Sequence, residues 1–121
     1  MKFCKWLLIV IYIGFIVSQT LMGRAVHPEP IFRTIFWELQ NGMWHDMFLN
    51  ILLFVPLGFL VGGWKGILVC FVISCGIETV QYFTRIGFCE LDDVLNNTIG
   101  AVVGIFIKLA FNRINNLRKE I

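Results

Sequence analysis

At 121 residues, 58% hydrophobic and only 15% charged, with a mean hydropathy of +0.79, the chain is too apolar for an ordinary soluble domain. Such domains run at about 45–50% apolar and about 25% charged. The length leaves room for one small membrane bundle and no separate soluble domain, so residues 1–121 read as a single transmembrane domain. A net charge of +2 gives no footprint for nucleic acid.

Residues 3–22 form the first apolar segment. Twenty residues at 1.5 Å rise cover about 30 Å, one bilayer core. Lys2 and Lys5 precede it and favour a cytoplasmic N-terminus. A cleavable signal peptide is the rival reading, but no good small-x-small cleavage site follows. Residues 23–45 are the longest loop. His27-Pro28-Glu29-Pro30 is a rigid extended entry, because each proline also restricts the residue before it. Beyond it, Ile31, Phe32, Ile35, Phe36 and Leu39 share one helical face, while Arg33, Thr34, Glu38 and Gln40 mostly face away. A short interfacial helix and a plain loop packed over the bundle are both open here.

The second span covers residues 46–64. Asp46 and Asn50 are four apart and share a face near its outer end. Pro56 removes one backbone hydrogen bond and frees the carbonyl of Leu52. Gly58 and Gly62 offer a small surface for close helix contact. Gly63 to Gly66 then allow only a tight turn, so the second and third spans make an antiparallel hairpin. In the third span, residues 66–84, Glu78, Gln81 and Arg85 fall at i, i+3 and i+7 on one stripe. Residues 86–93 form a second loop rich in acid: Glu90, Asp92 and Asp93. The fourth span is 94–111, with Asp93, Asn97, Gly100 and Gly104 recurring on one face. The tail after it is basic.

The flanks of the bundle differ in charge. With the N-terminus inside, the inner side holds Lys2, Lys5, Lys65, Lys108, Arg113, Arg118 and Lys119, and the outer loops hold Arg24, Arg33 and Arg85. The positive-inside rule therefore predicts a multi-pass protein with both termini cytoplasmic. Asp46, Asn50, Glu78, Gln81, Arg85, Glu90, Asp92, Asp93 and Asn97 then form one polar cluster at the outer side. Ionisable groups at membrane depth cost several kcal/mol unless paired or wet.

Three uses of the cluster are open. It can be structural glue, with Arg85 pairing with Asp92 or Asp93 and Glu78 bonding Gln81 or Asn50. It can bind a lipid headgroup or wall precursor, with Arg85 taking a phosphate or carboxylate. It can be catalytic, with Glu78 as general acid or base. The balance leans away from an enzyme, because no Ser-His or Cys-His pairing is evident and no catalytic residue stands out. The four cysteines show no zinc spacing, and Glu90, Asp92 and Asp93 match no defined metal loop. No metal or cofactor is expected. Pro56, Gly58, Gly62, Gly100 and Gly104 are read as helix-packing residues, and the glycine faces leave a homo-oligomer open.

Residues 45–105 resemble the VanZ-like family of bacterial membrane proteins. The resemblance rests on Asn50, Phe54, Pro56 and Gly58, then Glu78 and Gln81, then Arg85, then Asp93, Val94, Asn97, Thr98 and Gly100, in that order. Glu90 stands where the family often has Asp. The resemblance implies an all-α integral membrane bundle of four transmembrane helices in the bacterial cell membrane. The family's founding member is associated with teicoplanin resistance, which implies a cell-envelope role: contact with an outer-leaflet lipid or cell-wall precursor and an effect on glycopeptide susceptibility. The alternative is a membrane enzyme or small lipid carrier using the Glu/Arg/Asp cluster.

Overall fold

A backbone carried into hydrocarbon must satisfy its own N–H and C=O groups, so each apolar segment folds as a helix. In the computed structural model, which describes residues 2–121, four helices are long and apolar enough to cross a membrane: α1 (Lys2–Leu21), α3 (Trp44–Val61), α4 (Gly63–Thr84) and α5 (Leu91–Glu120). Between α1 and α3 lie a two-residue strand, β1 (Phe32–Arg33), and one helical turn, α2 (Trp37–Gln40). A second short strand, β2 (Cys89–Glu90), precedes α5. The architecture is an all-α membrane bundle with no closed sheet.

Small residues set the closest helix contact. α3 and α5 pack most extensively. A methyl group at Gly100 would overlap the Ile51 carbonyl, one at Gly104 the Val55 carbonyl, and one at Gly58 the Ala101 backbone. The two helices thus meet backbone to backbone, as small-xxx-small faces allow. Gly62 has a different part. It is the single residue between α3 and α4, with φ of 73°, and Gly63, the first residue of α4, follows at 62°. The turn expected at Gly63 to Gly66 is shorter, because adjacent glycines reach left-handed backbone at no steric cost. Trp64 and Lys65 already belong to α4.

Pro56 lies inside α3. The Tyr12 hydroxyl donates to the Leu53 carbonyl, next to the carbonyl that the proline leaves free, and ties α1 to the opened turn. The buried apolar core is a thin seam of Ile9, Ile16, Phe54, Leu57, Cys70, Ile77 and Ala101. Outside it, α1, α3, α4 and α5 are clothed in exposed Phe, Leu, Ile, Val and Trp, a surface suited to lipid. All four cysteines are free.

The two long connections at one end are laced together. The His27 amide donates to Arg85 O at 2.8 Å, Gly87 to Ala25 O at 3.0 Å and Cys89 to Ile31 O at 2.9 Å. β1 pairs parallel with β2, matching Phe32 to Cys89 and Arg33 to Glu90. Residues 31–36 are therefore mostly strand and turn, and only Trp37–Gln40 is helical. Phe32, Ile35, Phe36 and Leu39 are exposed, as an interfacial segment requires, while Glu38 is buried. Hydrogen bonding to the second connection wins over the helical period. The result is a small cap over the polar end of the bundle.

Candidate polar site beneath the cap

The first turns of α5 supply four polar side chains at consecutive or near-consecutive positions, and helical geometry fans them in different directions. Asp92 turns to the first connection. Its carboxylate accepts the amides of Phe36 and Glu38, the latter at 2.8 Å. Those bonds hold Phe36 in the left-handed region, φ 66°, where a bulky residue is strained. Asp93 turns to α3 and accepts the Asn50 side-chain amide at 2.7 Å. Asn96 donates to Glu38 Oε2 at 3.0 Å, and Asn97 to Ser74 Oγ at 2.7 Å.

α4 supports the site from behind. Glu78 Oε2 accepts the Glu90 backbone amide at 2.7 Å, and Gln81 donates to Thr20 O at 3.0 Å. Glu90 in turn forms an ion pair with Arg33, 2.8 Å from Nη1 to Oε1. The Arg33 guanidinium is sandwiched between the Trp37 and Phe88 rings, with its carbon 3.7 Å from each centroid. Stacking of this kind fixes the guanidinium plane as well as its charge.

Beneath the cap is a cavity of about 350 Å³. Its lining mixes apolar side chains, Phe15, Met43, Leu49, Leu53 and Phe88, with polar ones, Gln19, Thr20, Arg24, Arg33, Glu38, Asp46, Asn50, Glu90 and Asp93. Burial, reinforced by Glu90 and Asp93 alongside, pushes the Glu38 carboxyl up to about 9. Cys89, in the second connection, is also pushed up by burial, with Glu78, Asp93 and Glu90 adding to it. Among the described residues, three buried side-chain oxygens have no hydrogen-bond partner: Gln81 Oε1, Glu90 Oε2 and Asn97 Oδ1.

Of the residues singled out from the sequence, Asp46, Asn50, Glu90 and Asp93 line the cavity. Glu78, Gln81, Asp92 and Asn97 are buried but do not line it. Arg85 is the exception. It is exposed, closes α4 with φ of 61°, and donates from Nη1 to Pro28 O at 2.9 Å. The expected pairing with Asp92 or Asp93 is replaced by that of Arg33 with Glu90. Arg85 follows Thr84, the last residue of α4, and its left-handed backbone breaks the helical period, so the i+7 projection from Glu78 fails there. The acidic set that converges also differs. Asp92 is spent on backbone amides, and Glu38 joins Glu90 and Asp93, with one carboxylate oxygen of each lying within 4.8 Å of the others. Arg33, Glu38 and Asn96 were not assigned to the cluster from the sequence. Arg33 and Glu38 were read only as the polar side of the first loop, and no local signal set Asn96 toward Glu38.

A helical bundle of this kind, with a polar site roofed by its connections, defines a small multi-pass membrane protein. The family model described as VanZ/LLP1 matches residues 3–112, and the chain belongs to that family. Among curated relatives, Protein VanZ of Enterococcus faecium is 27% identical over 86 residues, covering 65% of this chain and 53% of that protein. The chain thus spans about half the length of that relative. No solved structure matches it.

Proposed function

We propose that this protein acts in the cell envelope by holding the polar head of an outer-leaflet lipid or wall precursor in the cavity beneath the cap, and that it lowers teicoplanin susceptibility. The observation that carries the reading is the mixed lining, in which apolar side chains stand beside charged ones. An amphiphile needs an apolar wall for the start of its chain and fixed charges for its head, and such pockets place a few polar groups on an otherwise apolar surface. Arg24 and Arg33 suit a phosphate or carboxylate, while Glu38, Asp46 and Glu90 suit hydroxyl or amine groups. The excess of Lys and Arg at the opposite end of the bundle favours an outward-facing cavity in a bacterial cell membrane.

Arg24 is the discriminating residue. It lines the cavity but is exposed, so Arg24→Gln should accumulate like the parent. Expression of the parent chain in a susceptible bacterium should raise the teicoplanin concentration needed for inhibition several-fold. Arg24→Gln should lose that gain, and Lys65→Gln, at the other end, should keep it. A parent chain that leaves susceptibility unchanged, or an Arg24→Gln variant as protective as the parent, rejects the reading.

A further inference from the structure

We infer that Glu38, Glu90 and Asp93 form a binding site for an oxygen-seeking divalent cation in the roof of the cavity. Glu90 and Asp93 are three residues apart across the start of α5, and the laced connections bring Glu38 of α2 to them, with an oxygen from each of the three within 4.8 Å of the other two. Ligands on opposite sides of a calcium-sized ion, at about 2.4 Å each, are separated by up to about 4.8 Å. Three ligands spread evenly around such an ion lie about 4.2 Å apart, so small side-chain shifts let all three oxygens share one ion.

Charge and hydrogen bonding point the same way. Glu90 is 6% exposed, and its Oε1 is taken by Arg33. Its Oε2 is buried with no donor. A buried carboxylate oxygen left without a partner is costly, and a cation or a proton must satisfy it. Arg33 is the single ion-pair partner of the triad among the described residues. It leaves two carboxyls, Glu38 and Asp93, that only a cation or protons can neutralise. Glu38 keeps one oxygen on Asn96 and Asp93 keeps one on Asn50, so both are oriented by a neutral amide as ligating carboxylates usually are. The cavity of about 350 Å³ has room for the waters that a hard cation needs to complete six or more ligands. An all-oxygen set selects magnesium, calcium or manganese over zinc or copper. This goes beyond the headgroup reading and needs no lipid.

Manganese(II) chloride is the probe, titrated into the full chain in detergent micelles and followed by the loss of the free-ion electron paramagnetic resonance signal. The parent should take up one ion per chain with half-saturation in the millimolar range or below, displaceable by calcium or magnesium. Asp93→Asn and Glu38→Gln should weaken uptake at least about tenfold. Asp46→Asn, which removes a carboxylate from the cavity mouth but not from the triad, should leave it unchanged. Absence of saturable uptake by the parent overturns the proposal, whatever the variants do, and means that protons shared among the carboxyls neutralise the cluster. Equal weakening by Asp46→Asn also overturns it, since that marks diffuse attraction to an acidic surface. Uptake without any effect on teicoplanin susceptibility leaves the cation site standing and rejects the headgroup reading alone.

Discussion

Asp92 shows how one side chain can decide the shape of a connection. It is 4% exposed and accepts two backbone amides from a segment 54 and 56 positions earlier in the chain. Hydrogen bonds to a charged group contribute about 1.5–3 kcal/mol each. Asp92→Ala should therefore lower stability by about 3 kcal/mol in heat or denaturant unfolding of the detergent-solubilised chain. It should also speed amide exchange at Phe36 and Glu38, while Glu29→Ala, in an exposed stretch, should do neither. Unchanged exchange at those two amides would count against the capping role. The acidity of Asp92 was plain in the sequence, but its target was not. The sequence around it suggested a partner in nearby Arg85, a local idea. The true partners are amides more than fifty residues away, and no spacing rule reaches them.

Elements were more legible than their attachments. Apolar length is a property of the segment itself, so the helices appear where hydropathy places them. The fourth continues past Phe111 to Glu120, because its polar end keeps helical character beyond the apolar run. The helix-packing glycines could be read as pairs, but their partners come from the fold: Gly100 and Gly104 approach Ile51 and Val55, whereas Gly62 serves the turn. This difference is testable. Gly104→Ala drives a methyl into backbone on α3, and overpacking of this sort costs about 1–3 kcal/mol. Gly76→Ala adds the same methyl where nothing lies within 4 Å and should leave stability intact. Thermal unfolding of the two variants side by side separates contact from composition. Equal stability would mean that α3 and α5 do not meet through Gly104. The cap could not be read in this way. Its two connections pair through a few backbone hydrogen bonds, and a two-residue strand leaves almost no periodicity to find.

At the scale of the molecule, charge is segregated along the bundle axis. Of the eight acidic residues, all but Glu120 sit at the capped end, in or beside the two connections. Seven of the ten Lys and Arg lie at the other end or on the α5 extension: Lys2, Lys5, Lys65, Lys108, Arg113, Arg118 and Lys119. The three at the capped end are Arg24, Arg33 and Arg85, and Arg33 is already bound to Glu90. Cytoplasmic flanks collect cations, and four crossings return the chain to the side where it starts. The capped end should therefore face outward, with both termini inside. Glu29→Cys should react with a membrane-impermeant maleimide on intact cells, above the background of the native cysteines. Lys65→Cys should react only after the cells are opened. The reverse pattern would put the cavity in the cytoplasm. Wall precursors exposed outside would then be beyond its reach, and a soluble cytoplasmic anion or an inner-leaflet lipid would become the ligand to test.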